Sequence, residues 1–137
     1  MHYLVVIDTN IIVSALLSKH ADASTVKVLE ALYASKIIPL YNNEILNEYE
    51  EVLRRKKFKF SENMIRLVTQ SIRDNGISVD RLATDEELPD PKDLVFYEVC
   101  MAKRNEDSML VTGNMKHFPA KPFIVTPNEL LDLINKQ

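Results

Sequence analysis

Residues 3–10 read YLVVIDTN, and apolar residues resume at once in IIVSALL (11–17). Leu4–Ile7 is a continuous apolar, largely β-branched run, the pattern of a strand buried on both faces. It stops on Asp8, Thr9 and Asn10, and Asn10–Leu17 reads as a short helix entered directly from the strand. A buried charge is costly unless it is paired or holds a metal. The remainder of the chain must therefore supply whatever offsets Asp8.

Working outward, strands and helices alternate. Ser24 is placed to cap a second helix with Val28, Leu29 and Leu32 on one face. KIIPLY (36–41) reads as a short strand, with Pro39 either interrupting its middle or placing it near a sheet edge. Asn42 or Asn43 caps the next helix, EILNEYEEVLRR (44–55), and Ser61 begins another that Asn75-Gly76 stops. Residues 78–90 are polar, with a brief strand at Ser78–Arg81. Asp90-Pro91 opens a helix through LVFYEVCMAKR (94–104). MLVT (109–112) and FIV (123–125) are further buried strands. Thr126-Pro127-Asn128-Glu129 is a capping box with proline at the first helical position, opening the last helix. Short apolar strands alternating with helices point to an α/β fold with a mainly parallel sheet of four to five strands and helices on both faces. No repeat, linker or low-complexity segment divides residues 1–137, so one domain is expected. In such folds sites form beyond the C-terminal ends of the strands, where Asp8 and Gly113-Asn114 lie.

Composition narrows the classes. An apolar fraction of 46% is ordinary for a globular chain. The net charge of −3 leaves no global basic field, so any nucleic-acid binding must be local. No apolar stretch approaches the ~20 residues of a membrane span, and the N-terminus lacks a secretion-signal pattern. Cys100, the one cysteine, lies in an apolar run and reads as a core residue. These features point to a cytoplasmic soluble domain. The two glycines, Gly76 and Gly113, are too few for a P-loop or a dinucleotide fingerprint.

Three acidic places compete with structural explanations. Asp8 suits a helix cap as well as a site. On the 44–55 helix, about 100° per residue sets Ile45, Leu46, Tyr49, Val52 and Leu53 on one face. Glu48 borders that face beside Val52, either aimed into a cleft or part of a solvated acidic surface. Asp90 and Asp93 fit the cap and first turn of the following helix; a helix start also aims its residues at the strand-end edge. Carboxylates gathered there raise one another's pKa values. Mg²⁺ or Mn²⁺, which favour oxygen ligands, would relieve that conflict and could activate a water for phosphoryl chemistry. An aspartate-based phosphotransferase of the haloacid dehalogenase type would need a second aspartate two residues after Asp8, where Asn10 stands.

These residues, in this order, resemble the PIN-domain family of metal-dependent nucleases over essentially the whole chain. IDTNIIVSALL matches the opening strand, with Asp8 followed by Thr9 and Asn10. EILNEYEEVL matches the second acidic segment, with Glu48, and DPKDLVFYEVCMA the third, with Asp93 and its neighbour Asp90. LVTGNMKHF matches the fourth, where many members carry an aspartate and this chain carries Asn114. Asparagine offers a carbonyl but no charge. The details look most like the toxin components of prokaryotic type II toxin–antitoxin pairs. The resemblance implies a three-layer α/β/α sandwich, Mg²⁺ or Mn²⁺, cleavage of single-stranded RNA, a small antitoxin partner and a homodimer. It casts Asp8, Glu48 and Asp93 as catalytic metal ligands, with Asp90 and Asn114 completing the site. Thr9, Asn10, Ser14 and Thr112 would support them. The rival reading is a binding module with a weakened site.

RRKKFKF (54–60) interleaves cations with two aromatics. It could track phosphates through Arg54 and Arg55 and stack on bases, or form a solvated helix end with Phe58 and Phe60 anchoring a loop. Lys116 and His117 follow Asn114; either could contact a scissile phosphate, or His117 could be an incidental surface-loop residue.

Overall fold

The computed structural model describes residues 2–136. Five strands form one all-parallel sheet: β1 (Tyr3–Ile7), β2 (Ile37–Tyr41), β3 (Ile77–Ser78), β4 (Met109–Val111) and β5 (Ile124–Val125), in the order β3-β2-β1-β4-β5. Among the described residues six α-helices accompany them: α1 (Thr9–Leu17), α2 (Ser24–Tyr33), α3 (Asn43–Leu53), α4 (Glu62–Asn75), α5 (Leu94–Ala102) and α6 (Pro127–Asn135). Successive strand residues point to opposite faces. Val5 and Val6 are both 0% exposed, as are Leu110 and Val111, so the sheet is covered on both sides. This is the expected α/β sandwich, and its apolar run at Leu4–Ile7 is the central strand.

Local signals place most boundaries. Asn42 Oδ1 accepts from the Ile45 amide (2.9 Å) and Ser61 Oγ from the Met64 amide (3.1 Å), each an N-cap. Both bonds of the Thr126–Glu129 capping box are present. Cys100 is buried in the core, where burial pushes its thiol up to about 11.

Four local expectations are corrected. Ala23, not Ser24, occupies the cap position of α2, and no side chain caps that end. The expected strand at Ser78–Arg81 is Ile77–Ser78 instead, although the Val79 amide still reaches Tyr41 O at 2.8 Å. The helix opened by Asp90-Pro91 begins as a single 3-10 turn, Pro91–Asp93, before α5. Finally, β2 is an interior strand despite Pro39. Its register pairs Pro39 with Val5 on one side, while β3 pairs only Leu40 and Tyr41 on the other. Pro39 therefore lies beyond the end of β3, where no ladder partner is lost.

Gly76 does stop α4, but for a different reason from a left-handed cap. Its φ is −105°, an extended value any residue adopts. What excludes a side chain is space: a Cβ would collide with the carbonyl oxygens of Pro39 and Ile72. Both are backbone atoms, so relief requires moving β2 or α4. Gly76→Ala is expected to cost about 1–3 kcal/mol, read as a lower denaturation midpoint at unchanged m-value. A wild-type midpoint would show that the two segments separate freely.

Candidate functional site

The chain runs from β1 to β2 and β3 on one side, then crosses to β4 and β5 on the other. The strand order therefore reverses between β1 and β4, the place where open parallel sheets form binding crevices. The Asp8 amide donates to Val111 O at 3.0 Å across this point. A cleft of about 350 Å³ opens there, lined by residues from all four acidic segments: Asp8, Asn10, Glu48, Asp90, Asp93 and Asn114. A larger groove, about 470 Å³, lies elsewhere beside His2, Arg104 and Phe123. It contains none of the expected ligands, so size alone does not locate the site.

Asp8 occupies the cap position of α1 but makes no side-chain cap bond. Its carboxylate instead accepts from Thr112 Oγ1 (2.7 Å), which in turn accepts from the Asn114 amide (2.9 Å). The segment after β4 thus orients Asp8 through a two-bond relay. Tyr49 adds a second brace: its hydroxyl donates to Ile7 O, at the end of β1. Helical periodicity places Tyr49 only on an apolar face, and its hydroxyl is the one hint of this role.

Asp8 is 6% exposed. Burial pushes its carboxyl up to about 6, against the lowering effect of Thr112 and with a further push from Asp93. Burial raises the Asp93 carboxyl as well, opposed by the His117 ring that hydrogen-bonds it. Glu48 is also raised, first by burial and then by neighbouring Glu51. Perturbed carboxyls facing one cleft make it a candidate functional site.

Other expected residues divide. Thr9, Arg55 and His117 line the cleft, with Phe58 and Lys92 beside them. His117 Nδ1 lies 3.1 Å from Asp93 Oδ2. Ser14 pairs with Thr25 on α2 at 3.2 Å. Arg54 donates to both oxygens of Glu62, at 2.8 and 3.1 Å. Lys116 is exposed in the turn after Asn114 and is not part of the cleft wall.

The donor set suits a hard divalent cation. Two buried polar atoms at the cleft, Thr9 Oγ1 and Asn10 Oδ1, have no partner within the protein. Such atoms call for an ordered water or ion. Among the described residues, no three His, Cys, Asp or Glu side chains stand close enough to hold one ion together. That spacing is compatible with Mg²⁺, which takes one or two carboxylates and keeps several waters.

A missed residue shapes the approach to the cleft. Glu98, within the otherwise apolar α5, is buried and accepts from Arg81 Nε (2.7 Å), the Thr84 amide (2.6 Å) and the Thr84 hydroxyl (3.0 Å). It fastens the irregular segment 79–90, which ends on Asp90 and leads into the turn that carries Asp93. One acid inside LVFYEVCMA was the available signal.

A family model described as PIN domain matches residues 4–116. No curated protein and no solved structure matches the chain.

Proposed function

Because the chain belongs to the PIN-domain family, a nuclease fold, we propose that the cleft beyond β1 and β4 is the active site of an endoribonuclease acting on single-stranded RNA. The observation that carries this reading is the buried Asp8 carboxylate, turned from its cap role and gathered with Glu48, Asp90, Asp93 and Asn114 around one cleft. One or two of Asp8, Glu48 and Asp93 would hold Mg²⁺ or Mn²⁺ directly, and the remaining acid, Asp90 and Asn114 would reach it through bound waters. The bound ion would supply an activated water and positive charge for a phosphodiester in hydrolysis. Thr112 holds Asp8 in orientation, and Thr9 and Asn10 present oxygens to ordered water. Arg55, Lys92 and His117 supply cationic or hydrogen-bonding groups for phosphate at the wall. The likeness in detail to toxin components extends the proposal to a toxin role, with a small antitoxin, a homodimer and a cytoplasmic site of action. Among the described residues no helix is long and apolar enough to cross a membrane.

Asn114 favours a second reading, a PIN fold that binds without cutting, because it leaves the cleft one negative charge short of the usual set. Cleavage of an end-labelled, mixed-sequence single-stranded RNA separates the two. It is run in Mn²⁺, Mg²⁺ and EDTA, beside Asp93→Asn purified identically. Cutting by the wild type alone, lost in EDTA, is the expected result. Metal binding without cutting, persisting in Asn114→Asp, would overturn the nuclease reading.

A further inference from the structure

The segment after α3 carries an aromatic pair that the carboxylate chemistry does not use. Phe58 and Phe60 stack with ring centroids 5.5 Å apart and planes 13° apart. Their environments differ. Phe60 packs against the hydrophobic core, whereas Phe58 is not among the residues packed there; it rests on Phe60, half-buried, and lines the cleft that holds Asp8 and Glu48. Between them Lys59 is left-handed, φ 58°, a conformation a lysine adopts at an energetic cost. The backbone is thus held against its preference where one ring is anchored and the other is presented at the cleft wall. Arg55 lines the same wall. Exposed Lys57 sits over the Phe58 ring, its Nζ 5.0 Å from the centroid.

We infer that Phe58, backed by Phe60, is the platform on which an unpaired base of the single-stranded substrate stacks beside the carboxylate cleft. This rests on the nuclease reading for the identity of the ligand. A single strand is recognised by aromatic faces together with cations that follow its phosphates, and this wall has both. The ring also supplies a reason for strand preference: a base in a duplex has its faces occupied by its neighbours. An exposed cation–π contact is weaker than stacking on a base, so the base displaces Lys57 from the ring and leaves its ammonium free for a phosphate. Every base has a π-face, so the platform tolerates sequence.

The test uses the full chain and a short single-stranded RNA carrying one 2-aminopurine, whose fluorescence falls on stacking. Titrations are made in EDTA and again in Ca²⁺, beside the duplex of the same sequence and a parallel Mn²⁺ cleavage assay. Wild type is expected to quench the single strand and not the duplex. Phe58→Ala is expected to lose the quench and bind about tenfold more weakly, with Phe58→Trp restoring both and thermal unfolding of Phe58→Ala close to wild type. Unchanged quench and affinity in Phe58→Ala, or no binding of the single strand by wild type, overturns the platform. So does a large loss of stability in Phe58→Ala, which would make the ring an anchor. Phe58-dependent quenching without cleavage would overturn the nuclease reading alone and leave the platform standing.

Discussion

Asp8→Asn is expected to lower metal-dependent RNA cleavage by more than about a hundredfold while making the metal-free protein more stable at neutral pH. Loss of a residue that only orients a metal ligand typically costs 10–100-fold, so removing the charge of the proposed ligand Asp8 should cost more. The stability gain follows from burial. The Asp8 carboxyl is held at about 6 rather than 3.8, so between about pH 4 and pH 6 the folded chain keeps a proton that the unfolded chain has lost. Stability therefore falls as pH rises through that window and levels off above it. A shift of this size corresponds to about 3 kcal/mol at neutral pH. Asparagine never ionises and its carbonyl can still accept from Thr112. Thermal unfolding in EDTA should place the variant above wild type at pH 7.5, with the two converging near pH 4. Added Mn²⁺ should then raise wild type and leave the variant unmoved. A variant that is less stable than wild type at pH 7.5 would mean that the buried charge is compensated within the protein.

The second large effect lies away from the acids. Glu98→Ala is expected to cost about 2–3 kcal/mol, because it leaves the Thr84 amide and the Arg81 guanidinium without their acceptor. Breaking a buried ion pair from one side typically costs about 3–5 kcal/mol. The lower figure applies because Arg81 is 33% exposed and retains Glu44 at 2.7 Å. Burial opposes the Glu98 charge, yet the bonds from Thr84 and Arg81 outweigh it and hold the carboxyl below its ordinary range. The transition should fall by roughly 5–10 °C, and limited proteolysis should cut first within residues 79–90. Because that segment ends on Asp90 and leads into the turn that carries Asp93, metal-induced stabilisation should weaken with it. Wild-type melting and an intact segment would show that Glu98 does not fasten it.

The local caps were legible because each is made within four residues. Asn42 reaches Ile45, Ser61 reaches Met64, and Thr126 exchanges bonds with Glu129. Such bonds need no knowledge of the rest of the chain. The buried strands were equally plain in Leu4–Ile7 and Met109–Val111, since a strand covered on both faces must be apolar at every position. Ser24 shows where this reasoning stops: it has the right chemistry for a cap, but the helix begins one residue earlier than a Ser24 cap requires. Pro39 shows the same for sheets, since its acceptability depends on where β3 ends.

The order of acids along the chain, with the Asp8-Thr9-Asn10 opening, was enough to identify the family and nominate the ligands. It did not determine which side chains would face one another. Thr112, 104 positions after Asp8 in the chain, reaches it only because β4 lies beside β1. Phe58 lines the cleft wall next to a left-handed Lys59 and a Phe60 packed against the core, a placement set by what the segment packs on. Gly76 is required by the backbones of β2 and α4 together, and Glu98 by a segment 14 to 17 residues before it. Periodicity and capping are short-range properties that the sequence carries by itself. The convergence of distant groups depends on strand order and on what each element packs against, and those are decided only when the whole chain folds.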